Sequence, residues 1–152
     1  MTTVLIGFPG SGKSTVGRQL AERFGMEFID LDLFIEEKYH TAIPLLFEKY
    51  GEAAFRTLEY AALREVLERE NVVIATGGGA PCHGDAMDQI NAHAQSIYLR
   101  LSEDQLVERL RHSKKKRPLT DSLSLPALRQ YVHDTLALRE PYYLKAHTIW
   151  DV

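Results

Sequence analysis

Residues 7–15, Gly7-Phe8-Pro9-Gly10-Ser11-Gly12-Lys13-Ser14-Thr15, directly follow the apolar run Val4-Leu5-Ile6. Two glycines, a lysine and a hydroxyl residue stand at the spacing that cradles the phosphates of a nucleoside triphosphate. Glycines at 7, 10 and 12 let the backbone enter positive φ and turn its N–H groups onto phosphate oxygens. Lys13 reaches the β- and γ-phosphates, and the Ser14 hydroxyl is a ligand for Mg²⁺. A helix beginning near Lys13 aims the positive end of its dipole at the same anion. The competing reading, a glycine-rich turn with an incidental lysine, leaves most of the matched positions unexplained. Gly10, Ser11, Gly12, Lys13, Ser14 and Thr15 are therefore the expected ATP-binding residues.

A second group of residues could meet the phosphoryl acceptor. Asp30-Leu31-Asp32 is expected to set two carboxylates on one side of an extended segment, one for a metal and one for an alcohol. Helix capping by Asp32 is the plainer alternative. Gly77-Gly78-Gly79 after Thr76 has more glycines than a turn needs, which suits backbone donors approached closely by an oxygen-rich ligand. Arg56 is spaced to meet Glu52 and Glu59, the pattern of an ordinary surface pair. Arg139 precedes Glu140-Pro141 at an expected helix end, and Arg117 precedes Pro118. Taken singly, each arginine has an unremarkable structural explanation.

These residues need a scaffold. Five short apolar runs, 3–8, 27–30, 72–76, 96–101 and 147–151, read as strands buried on both faces. Helical patterns separate them: Val16, Leu20 and Phe24 form one stripe, and Phe55, Leu58, Ala62 and Val66 another. Ser102 with Gln105 forms a capping box ahead of Leu106 and Leu110. Ser124 followed by Pro126 opens a helix that Pro141 is expected to end near Arg139. The alternation predicts a single α/β domain over 1–152, a three-layer α/β/α fold on a five-stranded parallel sheet. Ligands then gather at the carboxyl ends of the strands, where the phosphate loop, the aspartates and the triple glycine all lie.

The chain has 152 residues, 45% hydrophobic and 26% charged, with a formal net charge of −3. That charge argues against a nucleic-acid surface, and no apolar run is long enough to span a membrane. One cysteine precludes an internal disulfide, and the first strand follows the first methionine closely, so a cytoplasmic monomer is expected. Cys82 reads as a small filler, the six histidines lack zinc-ligand spacing, and Trp150 is expected to pack at the last strand. Charge is uneven, with seven basic residues against three acids between Arg100 and Arg117. Beside a triphosphate site, such a run suits a flap over the phosphates.

The motifs GFPGSGKST, FIDLD, FEKYGEAAFRTLE, TGGGA, KKRPL and LREPYY, in this order and at these intervals, resemble shikimate kinase over about residues 3–151. The resemblance implies a nucleoside-monophosphate-kinase-like P-loop fold with a lid over about 112–124. It also implies transfer of the ATP γ-phosphoryl group to the 3-hydroxyl of shikimate, a step toward chorismate and the aromatic amino acids. Asp32, Arg56, Gly78, Gly79 and Arg139 would hold shikimate, with Ile43, Phe47 and Phe55 as apolar walls. Lys13, Asp32 and Arg117 would be catalytic, and Ser14 and Asp30 would hold Mg²⁺. Two departures stand out. Leu110 occupies the place where the family carries an arginine against adenine, so Arg111 or Arg109 is expected to take over, alongside Arg117. The sequence also stops on the last strand, so it is expected either to be truncated or to lack the family's C-terminal tail. The rivals are a gluconate kinase, similar only over the first 35 residues, and a P-loop module that binds ATP without transferring phosphate.

Overall fold

A computed structural model describes residues 1–113 and 117–152; residues 114–116, inside the expected lid, lie outside the described residues. The chain runs β1 (Thr2–Ile6), α1 (Lys13–Phe24), β2 (Glu27–Asp30), α2 (Leu31–Tyr39), α3 (Ile43–Leu67), β3 (Val72–Ala75) and a 3₁₀ turn (Ala80–Cys82). It continues through α4 (Ala86–His93), β4 (Gln95–Arg100), α5 (Glu103–Arg111), the single-turn α6 (Pro118–Asp121), α7 (Leu125–Tyr143) and β5 (Thr148–Asp151). The five strands lie in the order β2-β3-β1-β4-β5, all parallel. The expected fold class is thus the observed one.

The layers follow from the two-residue period of a strand. Val4 and Ile6 of β1 and Val72 and Ile74 of β3 enter the larger core, while the intervening Leu5 and Val73 enter a smaller one with Ala21 of α1. Helices must therefore cover both faces. Gly17 lets α1 settle onto β2: a Cβ there would lie 2.5 Å from the Phe28 ring. From central β1 the chain first builds β2 and β3 on one side, then β4 and β5 on the other. The crevice at this reversal is where an open parallel sheet takes its ligand.

Several expectations need correction. Strand β1 stops at Ile6, because Gly7 (φ 150) already belongs to the loop. Phe24 of the supposed α1 stripe is 64% exposed. β5 is an edge strand exposed along its whole length, with Trp150 at 39%, since only β4 pairs with it. α7 passes through Pro141 to Tyr143 although proline forfeits one helical hydrogen bond. Packing of Tyr143, fully buried and 5.1 Å from the Tyr98 ring, holds that final turn. Gly51 (φ 82) breaks α3 into two helical pieces. Both anticipated caps form: Ser102 and Gln105 make the full box on α5, and Ser124 Oγ accepts from the Ala127 N–H.

Candidate active site

The phosphate loop joins β1 to α1. Gly10 (φ 86) and Gly12 (φ 95) occupy the left-handed region, where a side chain would strain the turn. Gly12 is the N-cap of α1 and offers no side-chain cap, so the first helical N–H groups are left for an anion. Lys13 is buried, and its ammonium donates to the Gly7 and Phe8 carbonyls at 2.8 and 2.9 Å, which fixes it inside the loop. Ser11 is 1% exposed and its Oγ has no hydrogen-bond partner among the described residues. Thr15 follows on the exposed side of α1.

Asp30 ends β2 and caps α2: its Oδ1 accepts from the Leu33 N–H at 3.2 Å, while Oδ2 accepts from Ser14 Oγ at 3.1 Å. The capping role considered for Asp32 thus belongs to Asp30. Because the helix begins at Leu31, the two aspartates do not share one side of an extended segment; Asp32 stands in the first turn of α2. Asp30 turns to the phosphate loop and Asp32 to the glycine turn. A hydroxyl beside a carboxylate is a hard-oxygen donor pair suited to Mg²⁺.

The triple glycine owes its composition to crowding. None of Gly77, Gly78 and Gly79 has positive φ, and Gly79 (φ −93, ψ −13) would accept any side chain on backbone grounds. Each is instead pressed by a charged group. A Cβ on Gly77 would lie 2.8 Å from Asp32 Oδ1, one on Gly78 2.8 Å from Arg139 Nη1, and one on Gly79 2.6 Å from Arg56 Nη2. Gly78 also faces the phosphate loop, since its Cβ would come within 2.6 Å of Pro9 Cδ. Residues 9, 32, 56, 78, 79 and 139 therefore meet at one point.

Arg56 meets both glutamates, the exposed Glu52 at 3.9 Å and Glu59 in a buried pair. Its Nη1 donates to Glu59 Oε1 at 2.8 Å, with side-chain exposures of 16% and 4%. Burial raises the Glu59 pKa above its ordinary value, and the charge and hydrogen bond of Arg56 hold it back. Sequence spacing showed the pair but could not show its burial, so Glu59 was missed as a functional residue. Phe47 and Phe55 stack 4.3 Å apart beneath the Arg56 guanidinium, with half-buried Ile43 packed on the same core. Arg139 lies 5.9 Å from the Phe8 ring. Cys82 is half-buried and burial pushes its thiol up to about 11, consistent with a filler rather than a nucleophile.

The two cations considered for the adenine contact, Arg109 and Arg111, sit differently. Arg111 donates to Glu108 at 2.9 Å and is drawn away along α5, whereas Arg109 Nη1 would stand 3.1 Å from a Cβ on Gly12. Leu110 packs beneath Gly10, 3.3 Å from its Cβ position. Arg117 is half-buried; its Nη1 donates to Ser113 Oγ at 2.6 Å and its N–H to Asp121 Oδ2 at 2.7 Å, and burial lowers its pKa. Its hydrogen bonds among the described residues stay within its own segment.

A phosphate loop abutting a pocket of two arginines and a carboxylate defines a P-loop kinase whose acceptor is a small anion carrying hydroxyls. The comparisons make that class specific. The family model for shikimate kinase matches residues 9–151. The shikimate kinase of Parabacteroides distasonis is 44% identical over 147 residues, 97% of this chain and 85% of that protein. The crystal structure of shikimate kinase from Bacteroides thetaiotaomicron superposes with a TM-score of 0.97 at 40% identity, covering 99% of this chain and 86% of the other. Shikimate kinase from Acinetobacter baumannii, solved in complex with shikimate, gives a TM-score of 0.90 at 37% identity, covering 99% and 83%. The chain belongs to the shikimate kinase family, whose reaction is the ATP-dependent phosphorylation of shikimate on the route to the aromatic amino acids. The gluconate kinase and non-catalytic readings are not favoured.

Proposed function

We propose that the chain phosphorylates the 3-hydroxyl of shikimate with the roles that follow. The contact of Gly78 with both Pro9 and Arg139 carries this reading, because it puts the acid pocket against the phosphate loop. Arg56 and Arg139 grip the shikimate carboxylate as planar donors. Asp32 accepts hydrogen bonds from the ring hydroxyls, and the Gly78 and Gly79 N–H groups donate to substrate oxygens. Phe47 and Phe55 provide an apolar wall.

Gly10, Ser11, Gly12, Lys13, Ser14 and Thr15 bind the ATP phosphates. Arg109, nearer the loop than Arg111, takes the additional cationic contact. Ser14 would hold Mg²⁺ directly and Asp30 through water; bound there, the ion neutralises charge on the phosphates. The 3-hydroxyl oxygen bonds to the γ-phosphorus as the bridging oxygen leaves with ADP, and Asp32 orients that hydroxyl and receives its proton. Lys13 and Arg117 stabilise the charge on the transferring group, and alignment does most of the remaining work. Closure of the lid, about 112–124, moves Arg117 from Ser113 to the phosphates and excludes water. The chain is one domain and acts as a cytoplasmic monomer without nucleic-acid or membrane partners. Among the described residues, no helix is long and apolar enough to cross a membrane.

A coupled ADP-release assay with ATP, Mg²⁺ and either shikimate or gluconate tests the reading. Turnover with shikimate alone is expected. Arg117→Ala should lower kcat far more than it raises the shikimate KM; a rise in KM with unchanged kcat would remove Arg117 from the catalytic group.

A further inference from the structure

The last turn of α7, continued past Pro141, places Tyr143 under the glycine turn. Its side chain is fully buried, and its hydroxyl donates to the Gly78 carbonyl at 2.5 Å. The Cys82 thiol also lies at that carbonyl, at 3.8 Å. In a trans peptide the carbonyl and the following N–H point in opposite directions. Fixing the Gly78 carbonyl toward α7 therefore turns the Gly79 N–H away from α7. Among the described residues, neither the Gly78 nor the Gly79 N–H donates a hydrogen bond. The same helix brings Arg139 Nη1 against Gly78, so one turn of α7 holds both the guanidinium and the peptide plane beside it.

We propose that Tyr143 is a positioning residue for the acceptor site: its hydroxyl locks the Gly78–Gly79 peptide so that the Gly79 N–H is presented to a shikimate oxygen. This rests on the assignment of the glycine turn to shikimate. The hydroxyl touches no substrate. Its reach is the acceptor side, since the groups beside the hydroxyl, the Gly78 carbonyl and the Arg139 guanidinium, are both assigned there. Tyr98, whose hydroxyl donates to Glu140 at 2.6 Å, shares the aromatic cluster without touching the turn.

Tyr143→Phe keeps the ring and removes the lock. Initial rates should show the shikimate KM raised about tenfold, equivalent to about 1.4 kcal/mol, with kcat and the ATP KM within about twofold. Tyr98→Phe removes a buried hydroxyl from the same cluster and should leave the shikimate KM near wild type. A shikimate KM unchanged in Tyr143→Phe overturns the proposal, as does a parallel rise in both substrates' KM or an equal effect of Tyr98→Phe. Should Tyr143→Phe fold poorly, the unaltered protein supplies the second measurement: the Gly79 amide resonance must move on saturation with shikimate, and a stationary resonance also overturns the proposal. Calorimetry separates the two layers. Shikimate heat in the wild type with undiminished affinity in Tyr143→Phe sinks this inference alone. No heat in the wild type sinks the acceptor assignment together with it.

Discussion

The nucleotide side and the acceptor side of the crevice are built by opposite means. The phosphate loop is nine consecutive residues whose shape is set by backbone dihedrals at Gly10 and Gly12 and by Lys13 folding back on its own loop carbonyls. The proposed acceptor pocket draws Asp32 from α2, Arg56 from α3, the glycines from the turn after β3 and Arg139 from α7. Its glycines are needed for space, not for φ. A contiguous site is specified by local conformation, and a dispersed site by the fit between charged side chains and the bare backbone they press against. Each kind should fail in its own way.

The largest effect should come from the local side. Lys13→Ala removes a charge buried within the phosphate loop, and kcat should fall on the order of 10³-fold, the range seen when one preorganised charge-stabilising group is lost. Shikimate binding without nucleotide, measured by calorimetry, should stay within about threefold of wild type. A loss of shikimate binding as large as the loss of turnover would show that the two half-sites are not separately built. On the dispersed side, Gly79→Ala adds a methyl that the backbone tolerates but the Arg56 guanidinium does not. The long side chain yields, so the fold survives and the carboxylate grip is displaced. The shikimate KM should rise about 10- to 100-fold, the cost of one or two charge-assisted hydrogen bonds, with the ATP KM unchanged. A drop in melting temperature with normal KM would mean that backbone, not Arg56, had given way.

The same contrast explains what could be read from the sequence. The phosphate loop and the caps of α5 and α7 are local statements, and residues 7–15, 102–105 and 124–127 stated them. That Gly77, Gly78 and Gly79 are more than a turn needs was also legible, through their number alone, and the structure shows them crowded by charged side chains. Which charge meets which glycine was not, because Asp32, Arg56 and Arg139 reach them only through tertiary packing. Pro141 signalled a helix end that the burial of Tyr143 overrides. Trp150 looked like core until its strand proved to be an edge. The resemblance to shikimate kinase proposed Arg139 and Arg56 for the acceptor; the physics of the residues alone gave each of them an ordinary role. Glu59 was hidden because an i,i+3 pair reads identically in water and in a core.

Glu59 provides the smallest and most discriminating test, because it belongs only to the dispersed site. Its charged form is the one that holds Arg56, and burial raises its pKa above the ordinary 4.5. As pH falls through that raised value, the carboxylate is protonated before typical exposed acids, and the grip on Arg56 loosens. The shikimate KM should therefore climb as pH falls through that raised value while the ATP KM stays level. Stability moves the other way. A folded value above the unfolded one means protonation favours the fold, so this group's stabilising contribution is full below 4.5 and disappears as pH rises through the folded value. At neutral pH the charged residue thus serves binding at some cost to the fold. Glu59→Gln should raise the neutral shikimate KM about three- to tenfold and flatten the acid rise, with kcat little changed. A pH profile for Glu59→Gln with the wild-type acid limb intact would reassign that limb to another group and leave Arg56 oriented by Glu52 and its aromatic bed of Phe47 and Phe55.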